Sequence, residues 1–344
     1  DLMCEPAMSE ASYFDGEYDF RACFKYIRPV LKSADLALAN LETMVTDLVP
    51  YAHEIHRVKH FLWKERYHCN APVAYLNALR YAGFDGFAMA SNHSADAGYD
   101  GLIDTINNVD KYGFMHTGVF KDEKEPRCLI VEVNGIKLGI LSYTEHINQD
   151  LDKEVYTEDG SKVLMNRFST DKIKKDVKYA KNNGVEFLLC YIHFIAKEYS
   201  HEVIQRQRDT AQSIADAGVD CIMGSHSHSI QPYDKIKAFD GRMVPVVYSL
   251  GNFITNDRMI ARKNIIYHLV LTKENGTVSI EQDSFIPCRV VEDILRSGFK
   301  VFPTQEVYHK GVKSELLNKA QDEICAVVGN LKLDDSSFIN KKDK

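Results

Sequence analysis

The sequence predicts an α/β protein, in which helices pack against sheets that contain parallel strands. Short apolar runs alternate along the chain with segments whose apolar residues recur at helical spacing. Several of the apolar runs end in polar residues of the kinds that bind metals. Between two other apolar runs stands Asn134-Gly135, a strong hairpin signal because both turn residues must accept positive φ.

The composition limits which classes of protein this chain can belong to. The chain has 344 residues with 45% hydrophobic content, enough to bury a full core in one large domain. A net charge of −7 leaves no broad basic surface, so nucleic acid and anionic membranes are not expected as primary partners. No stretch approaches the roughly 20 apolar residues of a membrane span, and no signal peptide is evident. Taken alone these features indicate the cytoplasm, but the chain starts without methionine, so localisation and oligomeric state stay open.

Covalent catalysis by a serine or cysteine is not indicated. The eight cysteines are widely spaced and several, such as Cys190, lie in apolar runs, which predicts buried free thiols rather than disulfides. The sequence contains no Gly-x-Ser-x-Gly elbow and no glycine-rich phosphate loop.

The first part of the chain predicts a helix at 18–31 and a buried strand at 34–39, with Glu42 just past the strand end. In open α/β sheets, ligands bind beyond the carboxyl ends of the strands, so Glu42 is a candidate site residue. The segment 50–70 then carries His53, His56 and His60, which could share a helical face and form a third metal site. The alternative is an amphipathic segment that borders the cleft as a substrate lid.

The next unit has the order helix, strand, helix, at 72–82, 84–90 and 99–112. Asn92 and His93 follow its strand directly, and Asp96 comes a few residues later. The hairpin is then expected at 128–143 and a polar surface loop at 144–168. A helix is expected at 171–183, a strand at 186–192 and a long helix at 201–217. His193 stands at the end of the strand 186–192. Glu198 could steady a histidine or simply be solvated.

The stretch after the strand at 219–223 carries His226 and His228, and a further strand is expected at 243–250. Two imidazoles separated by one residue can point into the same cleft and offer neutral nitrogens to zinc, manganese or iron. They could also be two polar loop histidines. The polar strand ends at 40–42 and 92–96 favour the metal site. An antiparallel pair at 265–271 and 277–286 and one helix at 312–328 complete the chain.

Six separated motifs carry a resemblance to a known family. They are Asp1-Leu2-Met3, Asn40-Leu41-Glu42, Ser91-Asn92-His93 with Asp96 and Gly98, His193 with Glu198, Gly224-Ser225-His226-Ser227-His228, and Tyr248-Ser249-Leu250-Gly251-Asn252-Phe253. In order and spacing they resemble the bacterial capsule-synthesis CapA family, also called the poly-γ-glutamate synthesis family, of the calcineurin-like metallophosphoesterase superfamily. The resemblance covers roughly residues 1–256. We therefore expect a metallophosphoesterase-like domain at 1–290 and a C-terminal helical extension at 291–344.

The resemblance implies a four-layer α/β/β/α sandwich of two mixed sheets flanked by helices, and a centre with two divalent metal ions (Mn, Zn, Fe or Mg). By the family pattern Glu42 bridges both metals. The ligands of one metal would be Asn92, His193 and His226, and those of the other Asp1 and His228. His93 would act as general acid or oxyanion stabiliser, steadied by Asp96.

The sequence departs from the wider pattern at several positions. Met3 stands where the superfamily has a ligand histidine, the stretch 194–196 changes the pocket wall, and Ser225 and Ser227 replace the usual neighbours of the last two histidines. Neither serine removes a ligand.

Three functions remain open. The first is a hydrolase in which a metal-bound hydroxide attacks a phosphoester or an amide or γ-glutamyl bond. The second is a non-catalytic binder of an anionic capsule polymer, with poly-γ-glutamate the suspected partner. The third is a scaffold that only retains the fold, which the surviving ligand-type residues disfavour.

Overall fold

The computed structural model describes residues 1–55, 69–148, 155, 164–256, 258–293, 298–308 and 314–334. Within these residues the helices are α1 Pro6–Ala11, α2 Arg21–Phe24, α3 Arg28–Ser33, α4 Ala52–Ile55, α5 Ala74–Ala82, α6 Gly98–Lys111, α7 Thr170–Asn182, α8 Gln205–Asp216 and α9 Glu315–Val328. The strands are β1 Tyr13–Phe14, β2 Glu17–Tyr18, β3 Leu38–Asn40, β4 Gly86–Ala88, β5 Met115–Thr117, β6 Leu129–Val133, β7 Ile136–Thr144, β8 Phe187–His193, β9 Cys221–Ser225, β10 Tyr233–Lys237, β11 Met243–Val247, β12 Lys263–Glu274, β13 Thr277–Asp293, β14 Gly298–Pro303 and β15 Lys332–Leu333.

The largest sheet has the strand order β10-β11-β9-β8-β7-β6 and is mixed. Its central strands β7, β8, β9 and β11 run parallel, and the two outer pairings are antiparallel. A second layer contains the parallel strands β3-β4-β5 and the antiparallel strands β12-β13-β14. Leu2 bridges to Leu41, just past β3, and to Ile254, ahead of β12.

The two sheet layers pack face to face, and helices cover their outer faces. Side chains of the large sheet, such as Leu189 and Met223, share a core with Ala88 and with partly buried residues of β3, β12 and β13. Helices α7 and α8 pack on the other face of the large sheet through residues such as Val177 and Ile214. Helices α5 and α6 pack with β4 on the opposite side of the molecule. The predicted α/β architecture of two mixed sheets flanked by helices is confirmed.

Some predicted elements are shorter than expected, for physical reasons. The expected helix at 18–31 is two short helices, because Pro29 lacks an N–H and opens the second one in the first-turn position that proline tolerates. The expected strand at 34–39 pairs only over Leu38–Asn40. Strand β13 continues past residue 290 to Asp293 and pairs there with β14, whereas β15 pairs with β13 earlier, at Ser284 and Phe285. The division of the chain at residue 290 stays a prediction.

The cysteines are free, as predicted, and all are buried except the half-buried Cys325. Every helix in the described part of the chain is too short or too polar to span a bilayer.

Gly224, near the end of β9, allows the backbone of this strand to approach the Tyr248 carbonyl and the Phe194 ring closely. A Cβ there would lie 2.1 Å from the Tyr248 carbonyl oxygen and 2.5 Å from Phe194 Cε2. We expect Gly224→Ala to lower the free energy of unfolding by about 1–3 kcal/mol or more, because a backbone oxygen must move. As control, Gly135→Asn should lower it by no more than about 1 kcal/mol, because a side chain there meets no neighbour and asparagine tolerates the positive φ of 79° better than other residues do. Equal effects in denaturant unfolding would contradict this packing.

Candidate metal centre

The site lies where strands of the two sheet layers end. His193 is the last residue of β8, and His226 directly follows β9, which is parallel to β8 and pairs His193 with Ser225. Glu42 lies two residues beyond β3 in the second layer. The side chains of Glu42 and His193 are fully buried. Parallel strands of both layers thus bring distant parts of the chain to one polar, water-excluded place.

Two groups of potential ligands share Glu42. One ligand atom each from Glu42, His193 and His226 lies within 4.8 Å of the others, and the same holds for Asp1, Glu42 and His228. His193 Nε2 is 3.4 Å from Glu42 Oε1 and 3.1 Å from His226 Nδ1. Such separations between ligand atoms are those around a cation held at about 2.0–2.2 Å from each.

Two buried oxygen atoms at this site lack hydrogen-bond donors. Among the described residues, Glu42 Oε1 and Asn92 Oδ1 accept no hydrogen bond. An unpaired buried acceptor is destabilising, and native proteins satisfy nearly all such atoms. A carboxylate oxygen, an amide oxygen and imidazole nitrogens form a donor set that suits a borderline divalent cation. The residues present therefore fit a divalent metal.

Burial keeps His193 and His226 neutral. Desolvation lowers the pKa of His193 well below its ordinary value and lowers that of His226 to about 2, and neighbouring imidazoles lower both further. A neutral imidazole retains the lone pair that binds a metal. Desolvation also raises the pKa of Glu42 to about 8. A bound cation would favour the ionised carboxylate and oppose this shift.

Neighbouring side chains fix the orientation of the candidate ligands. His228 Nδ1 lies 3.1 Å from Asn252 Oδ1, an acceptor, so this nitrogen carries the hydrogen and Nε2 keeps a lone pair. His193 Nδ1 contacts Ser225 Oγ at 2.8 Å, which leaves Nε2 facing the other ligands. Glu198 does not take that place, since it is exposed.

The backbone is strained in the loop at 226–228, which we call the histidine loop. His226 and His228 have φ values of 90° and 57°, a region that residues other than glycine rarely adopt. The Tyr199 N–H donates to the Ser227 carbonyl at 2.7 Å and thereby ties the loop to the segment after β8. Strain of this kind persists where the surroundings determine the conformation, and it clusters at functional sites.

His93 and Asp96 lie together, as the sequence predicts. His93 Nδ1 is 2.7 Å from Asp96 Oδ2, and both side chains are buried. Asn148 lies beside His93 and Asn92. The Asn148 Nδ2 atom is 3.2 Å from His93 Nδ1, and the Asn148 Oδ1 atom accepts a hydrogen bond from Asn92 Nδ2 at 3.1 Å. The assignments of the catalytic pair and of the six metal ligands stay predictions.

The sequence analysis missed Asn148 and placed His146 in a surface loop. The start of that loop is instead part of the site, since the His146 ring lies 4.5 Å from that of His226. Glu145 is buried, and its carboxylate accepts from the Ile195 N–H at 2.6 Å and from Arg206 Nε at 3.1 Å. All three follow β7, so the rule of polar strand ends could have identified them.

Other sequence candidates lie elsewhere. Met3 is buried. His53 Nδ1 lies 3.2 Å from Ser9 Oγ, whereas His56 and His60, with most of the suggested lid, fall outside the described residues. A cavity of about 440 Å³ between the sheet layers is lined mainly by apolar side chains and includes none of the candidate ligands. We do not identify it with the site, because the chemistry-bearing groups are not there.

Structural and sequence comparisons place these observations in a wider context. The chain is similar to a 5'-nucleotidase precursor from Thermus thermophilus (TM-score 0.42, 15% identity, 74% of this chain and 45% of that one). It is also similar to the calcineurin-like phosphoesterase YfkN from Bacillus subtilis (TM-score 0.41, 13% identity, 78% of this chain and 75% of that one). At such TM-scores these similarities carry no argument about the site.

Sequence relatives are more informative. The capsule biosynthesis protein CapA of Bacillus anthracis is 24% identical over 93% of this chain and 74% of its own. The PGA biosynthesis protein CapA of Bacillus subtilis (strain 168) is 24% identical over 75% of this chain, which spans 63% of that relative. The model of the family described as bacterial capsule synthesis protein PGA_cap matches residues 1–257. The match covers more than half of the sequence, and the chain therefore belongs to the PGA_cap family of bacterial capsule synthesis proteins.

Proposed function

We propose that this protein is a metal-dependent phosphoester hydrolase with two divalent metal ions. The single observation that carries the proposal is the pair of ligand groups that share the buried Glu42, one of whose oxygens has no hydrogen-bond donor among the described residues. Glu42 would belong to the ligand sets of both metals, with Asn92, His193 and His226 completing one set and Asp1 and His228 the other.

When bound, such a metal pair lowers the pKa of a shared water and neutralises the charge that develops on a phosphoryl group during in-line attack. The protein's own contribution is position and proton supply. Asp96 accepts the Nδ1 hydrogen of His93 and holds the ring. In this arrangement a His93 imidazolium, with hydrogens on both ring nitrogens, would give its Nε2 proton to the leaving oxygen and become the neutral ring. Asn148 Oδ1 accepts from Asn92 Nδ2 and so holds the Asn92 amide beside His93.

A second candidate function is binding of an anionic capsule polymer without turnover. It is supported by the PGA biosynthesis named for the Bacillus subtilis relative. Hydrolysis of an amide or γ-glutamyl bond would use the same residues, with the polymer as substrate. The two classes differ in what they need from His93, because a binder has no use for a proton donor.

The metal assignment predicts a loss of bound metal when an imidazole is removed. After loading with Mn²⁺ and gel filtration, we expect His193→Ala and His226→Ala each to lose at least one of the two metals. Each substitution removes a neutral nitrogen from the same ligand set. His268→Asn is the control, because His268 bonds Asp334 and belongs to neither group. Unchanged metal content by elemental analysis in both alanine variants would contradict the assignment.

The role proposed for His93 predicts a separation of metal binding from turnover. We expect His93→Ala to keep its metals and to lower kcat for bis(4-nitrophenyl) phosphate by about 10²–10⁴-fold, the usual contribution of a general acid. Asp96→Asn should lower kcat less, since the proton donor remains. Normal turnover by His93→Ala would show that the assigned role is wrong. A wild-type protein that holds metal, binds poly-γ-glutamate and hydrolyses no ester would favour the binder.

A further inference from the structure

A tyrosine and an arginine form a stack beside one of the candidate ligands. The Tyr199 ring stacks on the His228 imidazole, with centroids 5.3 Å apart and an interplanar angle of 29°. Arg258 Cζ lies 4.1 Å from the centroid of the same tyrosine ring. The Arg258 guanidinium carbon therefore lies within about 9.4 Å of the His228 ring centroid, since this is the two distances laid end to end.

The backbone holds Tyr199 in this position. Its φ is 52°, in the left-handed region, and its N–H donates to the Ser227 carbonyl between the two histidines of the loop. The backbone at Tyr199 is therefore tied to the loop that carries His228. An arginine placed over an aromatic face is attracted by the ring, and the stack preorganises its planar fork of donors.

The charge of Arg258 is available to a ligand. The side chain is exposed, and it makes no ion pair within the part of the chain that the structure describes. Other arginines are engaged differently: Arg206 pairs with Glu145, and Arg242 with Asp220 and Asp240. An available cation is notable in a protein of net charge −7. Its position beside the site indicates recognition of an anion there.

We propose that Arg258, seated on Tyr199, binds a second anionic group of the substrate, a carboxylate or phosphate next to the group held at the metals. The substrate class is then a molecule with two closely spaced anionic groups, as in an anionic polymer, rather than an isolated phosphoester. The inference rests on the proposed metal site. It assigns Arg258 to binding and specificity, not to the chemical step.

Binding of a matched pair of phosphonates to the Mn²⁺-loaded protein tests this proposal. Phenylphosphonate carries one anionic group, and 4-carboxyphenylphosphonate adds a carboxylate at short range. Neither has an ester bond to be cleaved, so calorimetric binding does not depend on turnover. We expect the carboxylate to tighten Kd about tenfold in the wild type, the scale of one charge-assisted hydrogen-bonded contact.

Variants of Arg258 and Tyr199 test which side chains produce the gain in affinity. Arg258→Gln should abolish the gain from the carboxylate and leave phenylphosphonate binding unchanged, and Tyr199→Leu should abolish the same gain. Arg258→Lys should keep part of the gain, because it retains the charge without the planar fork, and Tyr199→Phe should keep all of it. A gain that survives in Arg258→Gln, or no gain in the wild type, would overturn the proposal.

The same measurements separate this inference from the proposed function. Phosphonate binding that EDTA abolishes reports the metal site by itself. A carboxylate gain that depends on Arg258, in a protein that hydrolyses no ester, would support the anion site and exclude the hydrolase. Ester hydrolysis without such a gain would support the hydrolase and exclude the anion site.

Discussion

One buried carboxylate sets the requirements for the rest of the site. Glu42 is fully buried, one of its oxygens receives no hydrogen bond within the described residues, and its nearest polar neighbours include the neutral imidazole of His193. An ionised carboxylate in such surroundings is costly unless a positive charge compensates it. In our proposal that charge is a pair of divalent cations. The strained histidine loop and the bonds that orient each ring are then explained by the need to complete two ligand sets.

Much of the fold follows from the sequence, because apolar periodicity reports which faces are buried. Strands β8 and β9, the helices that flank them and the Asn134-Gly135 hairpin lie close to their predicted bounds. Short elements were not predictable in this way. The strand β5 has only three residues, and β14 is defined by its pairing with β13, a contact that local patterns do not encode. Pro29 divides a helix whose apolar spacing is otherwise continuous.

Apart from Asp1, which only the family resemblance supplied, the candidate ligands could be selected from the sequence because they stand at or after the end of a buried strand, and parallel strands end at one edge. Their grouping needed more than that rule. Which residues share Glu42 depends on the packing of two sheet layers, and the family resemblance supplied that grouping. The partners that orient them were harder to predict. Asn148 lies in a polar stretch without periodicity, and the stack of Arg258 on Tyr199 joins residues far apart in the sequence.

The central claim is that one carboxylate serves two metals. Its most direct test is elemental analysis of the Mn²⁺-loaded wild type beside Glu42→Gln, which keeps the size of the side chain and removes its charge. The account predicts about two divalent ions per chain in the wild type. In the variant it predicts loss from both sets, because each would lose its shared anionic ligand. Two ions retained by Glu42→Gln, with the same affinity, would contradict the account.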